Sequence, residues 1–383
     1  MSVDWSHDEK KVGEKTSMKQ YVLIGLMLCS LFFTSCAQPR LLDELSISQA
    51  AGFDLVENGE MKGFFVFPVF KSEEQGSYQI LSAKSNTISN IQFLVSEKSP
   101  FPVVMGQVLV ILISEKLAKE IGMIDLMNYI YRDPIIGSRQ VFAIVGGEVE
   151  DLLYTKMNQT NLNIGVYLSD MLAQNMRNGN EPVTNQHIFM NQMLAKGVDA
   201  YLPYIKKTSN AIKVSGVALF DQEKMVGHIP AEETFTFKAM IENHKNGIYE
   251  FRFRDKAKTH VVIENIKSRV SYHIKPTEHL TKKPHITIDI KLKGELKEFM
   301  KSKKIDKPSI LEHVEKEVEK RIAHQGQDLV QSFKKQRIDP LGLGLKYRAK
   351  DKALTPEKWK DIYPDADVQV KCHMKIVQTG VSQ

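Results

Sequence analysis

The chain is poor in cysteine: Cys29, Cys36 and Cys372 are its three in 383 residues, which admits one disulfide at most. It is also poor in recognisable catalytic signatures. There is no G-x-S-x-G, no H-E-x-x-H, no G-x-x-x-x-G-K-[ST] and no C-x-x-C, so nothing announces a serine hydrolase, a zinc protease, a P-loop NTPase or a thiol redox centre. Gly and Pro are not enriched enough for disorder or a fibrous repeat, and no internal repeat or low-complexity segment is present. The apolar run YVLIGLMLCSLFF, residues 21–33, stops at 13 residues, where a membrane-spanning helix needs roughly 20. A formal net charge of +6 is too small to argue for nucleic acid as a partner.

What is present is an ordinary globular composition, 42% hydrophobic and 26% charged, in a chain long enough for two or three domains. The charge is unevenly spread. Residues 273–383 hold 24 Lys+Arg against 16 Asp+Glu, or +8, whereas residues 36–272 hold 24 against 26, or −2.

The 21–33 run lacks the polar residues at helical spacing that a buried core helix would show, and reads as the h-region of a secretory signal. Lys10, Lys11, Lys15 and Lys19 precede it, diluted by Asp8, Glu9 and Glu14. Read from Met18, MKQYVLIGLMLCSLFFTSC is a compact signal; a buried helix or a retained anchor is the other reading. Thr34, Ser35 and Cys36 resemble a bacterial lipobox, in which diacylglycerol is added to the thiol and cleavage makes that Cys the first residue. Two or more acyl chains hold a protein to a bilayer where one binds only marginally. A Cys36–Cys372 disulfide is the competing reading. The setting of Cys372, in DADVQVKCHMKIV, suggests an inert strand thiol.

Downstream, hydrophobic patterning predicts a tether, a strand, a turn at Asn58 and Gly59, and a second strand over 63–70. A helix over 85–98 follows, then one buried strand through VVMGQVLVILIS, residues 103–114. Ser114 opens a helical pattern that Pro134 stops, QVFAIVGG at 140–147 is a strand, EVEDLLYTK a helix, and 164–176 another helix before the loop RNGNEPVTNQ. From residue 211, two strands flank an Asp-rich turn and lead to the helix AEETFTFKAMIEN. YEFRFRD, THVVIENIKSRVSYHIK and HITIDIKLKGELKEF alternate apolar and polar residues, the period of antiparallel strands with one wet face. The clearest helix covers 309–335, with Ser309 and Glu312 as a capping box and Leu311, Val314, Val318, Ile322, Val330 and Phe333 as one apolar stripe. A final strand lies around 367–377.

The expected organisation is a signal over 1–35, an N-terminal α/β domain over 36–155, a middle domain over 156–255, and a C-terminal antiparallel sheet packed with the long helix over 256–383. The fold class is mixed, α/β with α+β.

Weaker candidates have ordinary explanations. GGE at 146–148 ends a strand and opens a helix, a geometry that can take an anion, though a simple turn is the plainer reading. GLGLK at 342–346 lacks the strand and third glycine of a dinucleotide loop and reads as a helix-to-strand connection. His273, His279 and His285 do not follow a ligand pattern. The lysines between 282 and 307 read as a solvated sheet face, with anionic headgroups as the functional alternative. No catalytic, cofactor or metal site is read from the chain.

In register from Cys36, the sequence resembles the Ger(x)C family, the C subunits of nutrient germinant receptors in endospore-forming bacteria. Cys36, Leu42, Leu45, Ile47, Gly52 and Asp54 match that family's opening pattern, while Ala37, Gln38 and Leu41 depart from it. The likeness continues through GQVLVILISEKLAKE, Arg132-Asp133-Pro134, SGVALFDQEKMVGHIPAEET, DPLGLG at 339–344 and IYPDADVQVKCHMKIVQTG. The resemblance implies a non-enzymatic lipoprotein of three α/β domains on the outer face of the inner spore membrane, working with integral-membrane A and B subunits. It carries over one site residue, the lipidation cysteine Cys36. An alternative is a lipid-anchored extracytoplasmic solute-binding protein that captures small molecules in an interdomain cleft.

Overall fold

The computed structural model describes residues 21, 45–69, 78–133, 135–137, 139–155, 163–209, 211–252, 260–275, 283–299, 308–352 and 354–379. Ser46–Gln383 forms one compact unit, and Met1–Leu45 is assigned to another. Cys36 and the expected signal lie outside the described residues except for Tyr21.

The strands in chain order are β1 (Ser46–Ile47), β2 (Ala50–Leu55), β3 (Met61–Pro68), β4 (Tyr78–Ser85), β5 (Val103–Val104), β6 (Val110–Ser114) and β7 (Val141–Val145). Then come β8 (Tyr201–Lys207), β9 (Ile212–Asp221), β10 (Lys224–Pro230), β11 (His244–Arg252), β12 (His260–Lys275), β13 (His285–Phe299) and β14 (Asp367–Thr379). The helices are α1 (Ile88–Ser96), α2 (Glu115–Glu120), α3 (Ile124–Arg132), α4 (Val149–Leu153), α5 (Ile164–Arg177), α6 (Gln186–Leu194), α7 (Ala231–Ile241), α8 (Pro308–Gln336), α9 (Leu343–Arg348) and α10 (Pro356–Ile362).

Eight strands form one sheet in the order β10-β9-β8-β7-β6-β2-β3-β4. Its centre is parallel, β8 to β7 to β6 to β2, and both wings are antiparallel. Parallel neighbours need long crossovers, and helices supply them, so the central strands are covered on both faces. Every residue of β2 and β6 is buried for that reason. Strand alternation sends Ile111 and Ile113 into one apolar layer and Val110 and Leu112 into the other. Hydrogen bonding in this sheet runs without a break from residues before 155 to strands after 200.

Two sequence expectations change in detail. The run 103–114 is interrupted: β5 pairs with β1, and only residues 110–114 enter the large sheet. The helical pattern after Ser114 breaks at Gly122, whose φ of 96° lies in the left-handed region, giving α2 and α3. Ser114 does cap α2, its hydroxyl accepting from Leu117 N.

The second sheet has the order β11-β12-β13-β14, antiparallel through the first three strands. β14 instead joins β13 parallel, with Ile288 opposite Val370 and Ile290 opposite Cys372. The long helix is the crossover that makes this possible. It begins at Pro308, so Ser309 stands inside its first turn rather than ahead of it. Val314, Val318, Ile322, Val330 and Phe333 are fully buried against the sheet, and Leu311 partly so. Each fully buried Val or Phe side chain contributes roughly 1.5–3 kcal/mol, so this stripe is a main fastening of the helix.

α8 also closes the free edge of β14. Gln327 accepts from Val370 N at 3.3 Å and donates to Val368 O at 2.9 Å. Glu319 accepts from Met374 N at 2.9 Å and Glu315 from Ile376 N at 2.7 Å. Backbone groups that would otherwise face water as an unpaired edge are thus satisfied by side chains spaced along one helix. Helix and strand approach closely at Gly326, where a Cβ would lie 2.7 Å from Val370 Cγ1.

Candidate functional site

The GGE turn holds an anion, and the anion belongs to the chain itself. Val149 N donates to Asp54 Oδ1 at 2.7 Å and Glu150 N donates to Asp54 Oδ2 at 3.0 Å. Asp54 is buried, which pushes its carboxyl up to about 6 against the pull of those two N–H groups. Gly52 serves the same junction, because a Cβ there would collide with Val149 Cγ1. The matched pair Gly52 and Asp54 therefore joins β2 to α4 and is closed to any external ligand.

The DPLGLG segment is built on the same principle. Leu343 N and Gly344 N donate to the Asp339 carboxylate at 3.0 and 2.7 Å, and Trp359 Nε1 donates to it at 3.0 Å. The segment opens α9 and is not a helix-to-strand connection. Burial pushes Asp339 up to about 6 despite these donors. The loop before β8 locks onto it from the other side: Asp339 N donates to Asp199 Oδ2 at 2.5 Å, and Asp199 N donates to Asp339 O at 3.0 Å.

Both acids line a cleft of about 460 Å³. The walls come from residues 192–200, the end of α6 and the loop after it, the β9–β10 turn at 221–223, Arg337 and Asp339 beyond α8, and residues 356–363 around α10. Lys360 pairs with Asp221 at 2.9 Å and Lys196 with Glu357 at 3.5 Å across the rim. Burial, followed by the nearby charge of Asp221, holds the Asp199 carboxyl above its ordinary range. Sequence reading missed the cleft. Asp199 and Asp339 are 140 positions apart, and neither sits in a spacing that signals a site.

The remaining sequence candidates are scattered. His285 Nδ1 lies 2.8 Å from Asp367 Oδ2, His273 Nε2 lies 4.0 Å from Asp289 Oδ2, and His279 is outside the described residues. Among the described residues, no group of three or more His, Cys, Asp or Glu side chains is placed to hold a metal. Lys291, Lys293 and Lys297 lie on the exposed face of β13, and Lys297 pairs with Glu264 at 2.6 Å. Cys372 is free and buried in β14, and burial pushes its thiol up, away from reactivity. Cys36, the expected lipidation site, lies outside the described residues. No helix among the described residues is long and apolar enough to cross a membrane.

Comparison with known proteins places both halves of the chain. Residues 38–207 match the spore germination protein N-terminal domain, and residues 215–380 match the spore germination B3/GerAC-like C-terminal domain. The junction between them covers the β8–β9 connection and the first residues of β9. The chain is 33% identical over 369 residues to the spore germination protein GerQC of Bacillus cereus, covering 96% of this chain and all of that one. The crystal structure of the GerBC protein has a similar fold, with a TM-score of 0.51 at 20% identity over 86% of this chain and 98% of that one.

Proposed function

Because the chain belongs to the Ger(x)C family of spore germination proteins, we propose that it is the lipid-anchored C subunit of a nutrient germinant receptor. Cys36 carries the lipid, and the protein stands on the outer face of the inner spore membrane. It works with integral-membrane A and B subunits, contributing surfaces for receptor assembly and germination signalling and no chemistry of its own. The observation that supports this most is the likeness to a full-length spore germination protein across 96% of the chain. The site geometry agrees with a non-enzymatic role, since the buried acids Asp54 and Asp339 are committed to backbone N–H groups. Nine residues lie between Cys36 and Ser46, where the compact unit begins, a span of ten Cα steps. At about 3.3–3.6 Å per residue, the folded body starts within roughly 36 Å of the lipid.

The test is fractionation of spores that carry Cys36→Ala. The variant is expected to fold but to leave the membrane fraction, and the wild-type protein to draw two multispanning proteins with it from detergent extracts. Retention of the variant on the membrane would remove the lipid anchor from the proposal. A wild-type protein recovered alone would remove the receptor assembly.

A further inference from the structure

The cleft lined by Asp199 and Asp339 carries chemistry that receptor assembly does not explain. Five carboxylates line it, Asp199, Asp221, Glu223, Asp339 and Glu357, against three cations, Lys196, Arg337 and Lys360. Two of the cations are committed to rim ion pairs with Asp221 and Glu357. Arg337 is exposed, and Lys346 faces Asp339 from behind, so outside the two rim pairs Asp199 and Glu223 are the carboxylates left toward the cleft. Burial is the main cause that raises both acids; repulsion from Asp221 adds to it at Asp199 against the pull of Lys360, and repulsion from Asp199 adds to it at Asp339 against the pull of Lys346. A positive charge among them would relieve this repulsion.

A second, independent feature points the same way. Tyr363 lines the cleft and is 2% exposed, yet among the described residues its hydroxyl has no hydrogen-bond partner. Gln192 also lines the cleft, and although its side chain engages the Tyr201 hydroxyl, its Oε1 is buried without a partner among the described residues. Buried polar atoms left unpaired are costly and rare, and two around one cleft are explained if a ligand completes them. The volume of about 460 Å³ falls within the range of small-molecule sites, and Met193, Leu194 and Val198 supply the apolar surface such sites have.

We propose that this cleft binds a small molecule bearing a cationic nitrogen, an alkylammonium or amidinium group set against Asp199, Asp221 and Glu223, with the Tyr363 hydroxyl and Gln192 Oε1 as further hydrogen-bond partners.

The experiment is a calorimetric titration of the full chain with benzamidine, which is cationic at neutral pH, beside its neutral isostere benzamide. Benzamidine is expected to saturate one site and benzamide to bind at least about tenfold more weakly, because charge-assisted hydrogen bonds are roughly twice as strong as neutral ones. The double variant Asp221→Asn, Glu223→Gln is expected to weaken benzamidine binding about tenfold or more with little change in melting temperature. Tyr363→Phe is expected to weaken binding while the melting temperature holds or rises, since the substitution removes a buried unpaired hydroxyl. Equal binding of the two probes, no saturation by benzamidine, or unchanged affinity in these variants would overturn the proposal.

Discussion

Asp54 and Asp339 each bring a buried carboxylate to the first backbone N–H groups of a short helix, α4 and α9. Such a group favours its charged form through hydrogen bonding and its neutral form through burial, and in both residues burial wins, raising the carboxyl from 3.8 to about 6. The unfolded chain takes up the proton near 3.8 and the folded chain near 6, so between these values the folded state holds more protons. Stability from these residues is therefore fully present below about pH 4 and is lost as pH rises through about 6. Asp54→Asn cannot titrate. It is expected to melt below wild type at every pH, with the gap widening as pH falls from 7 to 4; a constant or narrowing gap in thermal melts would contradict this assignment. At this scale the sequence was half legible. The GGE turn signals an anion-accepting helix start, but nothing in it says that the anion comes from a strand 95 residues earlier.

The long helix shows which elements can be read and which cannot. Its stripe is regular at helical spacing, and every residue named from it packs on the sheet. By contrast, β8 has no predicted counterpart, because YLPYIKK is buried over its first five residues without alternation and contains Pro203. Proline usually argues against an interior strand. It is tolerated where β8 meets β7 because that pairing involves only Tyr204 and Ile205. The helix α6, QHIFMNQML, was missed because its apolar residues make no clear stripe. The parallel setting of β14 was also invisible, since alternation is the same for either direction. Within α8, Gly326 tests the packing against propensity. Gly326→Ala improves intrinsic helix propensity by about 1 kcal/mol, but its methyl would meet Val370 Cγ1 at 2.7 Å and Met240 Sδ at 3.2 Å. Overpacking of that kind costs about 1–3 kcal/mol. The variant is expected to lose stability in denaturant unfolding, and a gain would show that helix and strand separate freely.

Across the whole molecule, the two sheets share one apolar core. Tyr201, Val217, Leu219 and Ile229 from the eight-stranded sheet lie in the same cluster as Ile286, Ile288 and Ile290 from the four-stranded one, with α7 and α8 contributing Phe235, Phe237 and Phe333. The Asp199–Asp339 bridge ties the same two regions with paired backbone and carboxylate hydrogen bonds. Calorimetry of the protein is therefore expected to show one cooperative transition for Ser46–Gln383; two well-separated transitions would mean that the shared core couples the sheets weakly. The cleft belongs to this scale as well. Each of its walls is a loop or helix end that only the assembled core brings to the others, so no local pattern could announce it.

The sealed edge of β14 bears on crowding. On the anchored placement proposed above, copies of the chain would meet at a high effective concentration, where open strand edges on neighbours are ready templates for pairing. With Glu315, Glu319 and Gln327 occupying the backbone of β14, the other edge of that sheet among the described residues is β11, where Ile248 N already donates to Asn178 O at 3.3 Å. A sheet that accepts strands on one side alone can pair two copies but cannot grow into a stack, so dense packing on a membrane would not propagate through it.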